Sequence, residues 1–136
     1  MISLVMDTSN SYLAVGLYQD NMCLEAFQEK GSRRQSEKAI PTLKEVLDCH
    51  DIALKDVDEM IITSGPGSYT GVRVAMTIAK TLAAVSDVKI KSVSSLAAYA
   101  GMNQALSVID ARGHKVFVGV YENGLPLIKE QVMTLE

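Results

Sequence analysis

The sequence predicts an alternating α/β fold with a mixed five-stranded sheet and helices, followed by the opening strands of a second, incomplete copy. Three observations carry that prediction. Short apolar or period-two runs alternate with stretches of helical periodicity through the first hundred or so residues. One β-type run, Met60-Ile61-Ile62-Thr63, enters a loop with three glycines in seven residues, Gly65-Pro66-Gly67-Ser68-Tyr69-Thr70-Gly71, and leaves it as a helical pattern. Finally, Asp7, Val15, Gly16 and Tyr18 recur as Asp110, Val118, Gly119 and Tyr121, all at one offset of 103 residues.

The elements follow in order. Residues 2–6 are a short apolar run and read as a buried strand. Tyr12 to Gln19 alternates Leu13, Val15 and Leu17 against Ala14, Gly16 and Tyr18, the period of a second strand. Asp20-Asn21 is a two-residue turn signal, so Met22 to Glu29 returns as a third. Gly31-Ser32 breaks the pattern, and Ser32 or Ser36 can cap a helix whose apolar stripe is Ile40, Leu43, Val46 and Leu47. Pro41 sits near its start, where a kink rather than a break is expected. A fourth strand over 59–63 leads through the glycine loop into a helix over 71–86, rich in Ala75, Ala79, Ala83 and Ala84. Lys89 to Val93 is a fifth strand, and Ser95 to Gln104 a third helix opening on a serine cap.

The repeat extends beyond its identities. Leu17 matches Val120, Gln19 matches Glu122, Asp20 matches Asn123, Met22 matches Leu125 and Leu24 matches Leu127. Repeats at a fixed period point to a duplicated unit. The chain therefore divides into a first lobe, residues 1–104, and the first three strands of a second, residues 105–136. That second sheet lacks covering helices, which leaves apolar area and strand edges in water. The expectation is an N-terminal fragment or truncated form of a two-lobed protein.

Composition excludes several classes. At 136 residues the chain can bury roughly two thirds of its unfolded surface, enough for a core. No run of about 18 apolar residues occurs, so no membrane span is expected. Met1 to Asp7 has no basic n-region and reaches a carboxylate early, unlike a signal peptide. Cys23 and Cys49 have neither metal nor CxxC spacing, which suits a reducing cytoplasm. A net charge of −3 argues against gripping a polyanion unaided. The Arg33-Arg34 step reads as solvated charge ahead of a nucleic-acid contact.

A duplicated three-strand, alternating α/β unit is the plan of the actin-like ATPase (ribonuclease H-like) fold. Within it, three stretches resemble the bacterial TsaB (YeaZ) family: Met6-Asp7-Thr8-Ser9, Gly65-Pro66-Gly67-Ser68-Tyr69-Thr70-Gly71-Val72-Arg73, and Ile109-Asp110-Ala111-Arg112. The second is the most specific. The resemblance spans the whole chain but about three fifths of a usual member. It implies a cytoplasmic, non-catalytic subunit in making threonylcarbamoyladenosine beside the anticodon of ANN-decoding tRNAs. The implied partners are a TsaD-type paralogue, which carries the chemistry, and a TsaE-type ATPase. A homodimer is expected in their absence, with tRNA touched only indirectly, no membrane and no cofactor. In TsaD-type relatives a His-x-x-x-His metal pair follows this region; here the matching stretch is Ser95-Leu96-Ala97-Ala98-Tyr99, and two hydroxyls do not replace two imidazoles. Neither metal nor transferase reaction carries over. Gln35 stands where the family pattern has a histidine.

The site residues are weighed accordingly. The glycine loop is no Walker A motif, for no Lys-Ser or Lys-Thr follows a glycine at the needed spacing. Its three readings are architecture, partner contact and nucleotide cradle. Arg73, placed in the first helical turn, opposes the helix dipole and suggests a carboxylate or phosphate partner; the plainer alternative is a surface arginine over Tyr69. Candidate anion or nucleotide contacts are Asp7, Thr8, Gly65, Gly67, Ser68, Thr70 and Asp110. In actin-like ATPases aspartates like Asp7 and Asp110 face each other across a cleft and can hold hydrated magnesium; hairpin hydrogen bonding is the default here. A partner interface is expected on the two helices through Ser36, Ile40, Leu43, Leu47, Val72, Arg73, Ala75, Met76, Ala79 and Ala83. His50 reads as a helix C-cap or solvated, His114 as a turn residue, and no catalytic or metal-binding residue is assigned. The alternatives are an actin-like ATPase or phosphotransferase using Asp7 and Asp110 and, further off, a metallopeptidase.

Overall fold

The computed structural model describes residues 1–30 and 35–135. The break at Gly31, the alternative cap Ser32 and the Arg33-Arg34 step lie outside the described residues. The first sheet has the order β3-β2-β1-β4-β5. Its strands are β1 (Ile2–Asp7), β2 (Tyr12–Gln19), β3 (Met22–Lys30), β4 (Glu59–Thr63) and β5 (Lys89–Val93). β1 pairs antiparallel with β2 and parallel with β4, and β4 runs parallel to β5, so the sheet is mixed as predicted. The β2–β3 turn places Asp20 at φ 48° and Asn21 at φ 70°, the doubly left-handed pair that a two-residue hairpin needs.

Helices α1 (Gln35–Cys49) and α2 (Tyr69–Val85) pack side by side on one face of this sheet. Leu4, Met6, Met60 and Ile62 meet Ala39, Leu43 and Val46 of α1 and Ala75, Ile78 and Ala79 of α2 in one cluster. Ile40, expected in the buried stripe, is 55% exposed, and Ala39 takes its place. The helix phase explains this, since residues 39, 43, 46 and 47 share one side. Ser36 lies inside α1 rather than capping it. The helix continues through Pro41, which is exposed, where water can replace the missing donor. Two residues ahead of its expected start, α2 begins at Tyr69 behind Ser68, whose Oγ accepts from the Gly71 N–H at 3.2 Å. Arg73 is therefore past the first turn.

Backbones meet closely where β1 ends. A Cβ on Gly67 would stand 2.2 Å from the Ser9 carbonyl oxygen, and one on Gly71 2.0 Å from that of Thr8. Those distances admit only glycine. The Ser68 N–H donates to Ser9 O at 2.7 Å, and Thr8 Oγ1 donates to Gly71 O at 2.6 Å.

A helix shorter than expected, α3 (Ser95–Ala100), leads to the second sheet. Its cap is Ser94, not Ser95, and Gly101 at φ 61° ends it by donating to Ala97 O. The second sheet is antiparallel, in the order β6 (Ala105–Arg112), β7 (Lys115–Glu122), β8 (Leu125–Thr134). Strand β7 begins and ends at the repeat offset from β2, and β6 and β8 begin at that offset from β1 and β3. A detail of packing repeats too. The Tyr18 ring lies on Gly16 and the Tyr121 ring on Gly119, where added Cβ atoms would stand 2.9 and 2.7 Å from the rings. The copies differ at the hairpin, where a register shift between Asp110 and Arg112 has no counterpart in β1–β2. Leu96 and Ala100 of α3 pack on Ile109 and Tyr121, while Leu106, Val108, Leu125, Ile128 and Val132 are exposed.

Two outcomes test this account. Gly71→Ala should lower stability by roughly 1–3 kcal/mol, because backbone rather than a flexible side chain must move; an unchanged melting temperature would contradict the close approach. Glu59, 8% exposed, accepts from Ser3 Oγ at 2.8 Å and pairs with Lys91 Nζ at 2.7 Å. The Lys91 and Ser3 bonds hold its pKa below the usual glutamate value. A lowered folded pKa stabilises the fold above the ordinary value, and that gain is lost as pH falls through the folded one. Thermal melts of Glu59→Gln should therefore show a shallower acid limb than those of the parent chain.

Candidate functional site

Of the expected anion contacts, Asp7, Thr8, Gly65, Gly67 and Ser68 lie around the end of β1, with their polar groups turned on the chain itself, while Thr70 and Asp110 stand apart from them. Thr8 and Ser9 are fully buried. Asp7 Oδ1 accepts from Ser9 N–H at 2.8 Å, Ser9 Oγ at 2.6 Å and Thr63 Oγ1 at 2.6 Å. Ser95 Oγ donates to Ser9 Oγ at 2.9 Å, and Asn10 Nδ2 to Tyr99 Oη at 2.8 Å. The Ser95 and Tyr99 hydroxyls thus tie α3 to the first hairpin. Burial first, then the charge of Asp7, raises the Tyr99 pKa, so its hydroxyl stays a neutral donor. Gly65 and Gly67 are partly buried, and Gly65 O accepts from Ser95 N–H at 2.8 Å. Thr70 is exposed beside α1. Asp110 is exposed, its Oδ1 accepting from Arg112 N–H at 2.8 Å. Among the described residues, no three His, Cys, Asp or Glu side chains converge as a metal ion would require.

The helix pair presents a different surface. Between α1 and α2 an open groove of about 350 Å³ is lined by Ser36, Ile40, Thr70, Arg73, Val74, Thr77 and Ile78. Beyond Ile40 it continues along Leu43, Lys44, Leu47 and Leu82. Arg73 lies over the Tyr69 ring, 5.2 Å from its centre, and donates to Tyr69 Oη at 3.3 Å. That is the plainer arrangement foreseen for it, and it holds the guanidinium extended at the groove's rim.

Burial corrects part of the expected interface. Leu43, Leu47, Ala75 and Ala79 are 4%, 8%, 0% and 0% exposed, so they belong to the core rather than to a contact surface. A glutamate at Ala79 would strand a charge inside the core and is no test of association. Val72, Met76 and Ala83 are half-buried, and Ser36, Ile40 and Arg73 are exposed. The surface of α2 carries Thr70, Arg73, Thr77, Lys80 and Ala84 instead. Phasing Ala75, Ile78 and Ala79 as one buried stripe would have found that row on the opposite side. Tyr69, Val74 and Thr77 were missed because alanines, not phase, guided the choice. His50 follows α1 with Nε2 3.9 Å from Glu25 Oε2, and His114 is exposed in the β6–β7 turn.

Comparison with known proteins agrees with this architecture. Residues 28–134 match the family model described as "TsaD: tRNA N6-adenosine threonylcarbamoyltransferase". The tRNA threonylcarbamoyladenosine biosynthesis protein TsaB of Bacillus subtilis is 35% identical over 132 residues, covering 92% of this chain and 58% of that protein. The structure of YeaZ from Pseudomonas aeruginosa superposes with a TM-score of 0.89 at 29% identity, covering 97% of this chain and 67% of that one. The ethanolamine utilization protein EutJ of Carboxydothermus hydrogenoformans, at 12% identity and a TM-score of 0.53, shares the fold alone. The chain thus spans under three fifths of the Bacillus relative's length, in the actin-like fold that the repeat predicted. It belongs to the TsaD family of tRNA N6-adenosine threonylcarbamoyltransferases, on the TsaB (YeaZ) branch.

Proposed function

We propose that this chain is a non-catalytic scaffold in threonylcarbamoyladenosine synthesis, acting by docking a TsaD-type paralogue on the face formed by α1 and α2. One observation carries the reading: an open groove with apolar walls lies between the two helices, and an exposed arginine stands at its rim. Apolar walls supply affinity and a rim charge supplies register, the usual anatomy of a specific contact. The TsaE-type ATPase joins that assembly, two copies of the chain associate in its absence, and tRNA is engaged only through the partner. The setting is the cytoplasm; none of the described helices is long and apolar enough to cross a membrane.

The ATPase reading has less support. Its anion cradle would need free donors at the glycine loop and an available Asp7 carboxylate. The Ser68 N–H is bonded to Ser9 O, and Asp7 Oδ1 already accepts three bonds. A phosphate there would also meet the Asp7 charge with no lysine to offset it.

Ile40→Asp should reduce co-purification with a TsaD-type paralogue at least about tenfold while leaving the melting curve unchanged, since Ile40 is exposed and its loss opens no cavity. Undiminished capture would dismiss the helix face. The isolated chain should also hydrolyse ATP no faster than a blank; turnover that disappears in Asp7→Ala would instead establish the ATPase reading.

A further inference from the structure

The second sheet repeats the core face of the first without its cover. In the first sheet Leu4 pairs with Leu17 and Met6 with Val15, and with Leu13 they lie under α1 and α2, each no more than 3% exposed. Val116, Val118 and Val120 stand at the repeat offset from Leu13, Val15 and Leu17. Leu106 pairs with Val120 and Val108 with Val118, so they take the places of Leu4 and Met6. They reach those places one residue short of the offset, because the register shift between Asp110 and Arg112 slides β6 along β7. At the strict offset Ser107 and Ile109 would stand there, and the apolar side chains would face the other way. Strand β8 adds Ile128 opposite Val120 and Met133 opposite Val116. Opposed residues of an antiparallel pair share a face, so these side chains lie together. Leu106 is 66% and Val108 49% exposed, where their counterparts are sealed.

No helix among the described residues is free to cover this face. Helices α1 and α2 lie on the first sheet, and α3 packs on the opposite face with Ile109, Phe117 and Tyr121. Three strands of about eight residues, about 4.8 Å apart and rising about 3.3 Å per residue, present roughly 370 Å². An apolar patch of that size marks an interaction site. Its centre carries no charge: Lys129 and Glu130 line a recess with Ala97 and Tyr121 on the α3 side, and Asp110 and Glu122 stand at the two ends. We propose that this face docks the same face of a second copy, as the two sheets of a sandwich, in a contact separate from the α1 and α2 surface. Uncharged identical faces oppose each other without repulsion. They also share one hand of twist, so they stack with their strands within about 30° of each other. A two-fold axis makes the contact isologous and covers both faces at once.

Sedimentation equilibrium of the Ile40→Asp chain, whose helix face is disabled, tests the contact. That chain should still dimerise, and added salt should strengthen the dimer, because only the acids at the rim repel and salt screens them. Val108→Lys and, on another strand, Ile128→Lys should each weaken it at least about tenfold. Both side chains are exposed in the single chain, so the circular dichroism melts should match those of the parent. Placed in the otherwise native chain, Val108→Lys should leave capture of a TsaD-type paralogue unchanged. An Ile40→Asp chain that is monomeric at every loading overturns the second copy as occupant, and so does a dimer that neither lysine weakens. Capture lost in Val108→Lys with an intact melt overturns the separation of the two surfaces. Undiminished capture by Ile40→Asp would instead remove the helix face and leave this contact standing.

Discussion

The structure depends on the close approach of two stretches of backbone, the hairpin at Thr8-Ser9 and the loop from Gly67 to Gly71. Their carbonyls and Cα atoms are so close that a methyl group on either glycine would penetrate the opposing carbonyl. That approach lets Ser68 N–H reach Ser9 O and Thr8 Oγ1 reach Gly71 O, joining the end of β1 to the start of α2. Once α2 starts there, its direction over β4 is set and its distance from α1 follows. The groove between the helices is thus a consequence of two missing side chains. The same hairpin holds α3 through the Ser9–Ser95 and Asn10–Tyr99 bonds, and α3 carries the core of the second sheet.

This junction also decides which chemistry the glycine loop can support. A backbone cradle binds an anion when several donors point outward and no negative charge is close. Here Gly71 N–H is taken by the Ser68 cap and Ser68 N–H by the hairpin, and Asp7 lies behind both. Each buried hydrogen bond that an anion displaced would cost about 1–3 kcal/mol. The loop turns a buried strand into a helix, and the surface that this helix exposes forms one side of the proposed docking face.

The strands were legible almost to the residue, because each is a short apolar or alternating run closed by a turn signal. Asp20-Asn21 in particular left little choice of hairpin. Duplication was legible because the glycine and tyrosine of each second strand form one unit, the ring covering the glycine, and both were retained together. Helix faces were less legible. Ala75 and Ala79 were placed at an interface because small residues permit close helix approach, yet the sheet itself is approached that closely. Composition identifies a close contact but does not say with what; only the phase of the larger side chains does. The Asp7 network was hidden for another reason. Ser9, Thr63 and Tyr99 are far apart in sequence, and no periodicity brings three hydroxyl groups to one carboxylate, or Ser95 to the Ser9 hydroxyl behind it.

On the proposed reading, a chain of duplicated fold that docks its own paralogues must discriminate among partners of closely similar shape. Apolar walls such as Ile40, Val74 and Ile78 cannot do that alone, because a related helix pair presents similar ridges. Charges placed by height along the helices can, since a wrong partner or register opposes like to like at a cost while the right one gains. The division seen here suits that need: the α1 lysines are taken up by Glu29 and Asp48, Glu37 and Glu45 are in none of the ion pairs among the described residues, and the charged residues of α2 are all cations. Local ion pairs such as Lys44 with Asp48 contribute little to stability at a surface. Their consequence is to leave Glu37 and Glu45 as the anions on α1 available to a partner. The close backbone junction sets the groove, and the proposed docking face takes its register from the charges beside it.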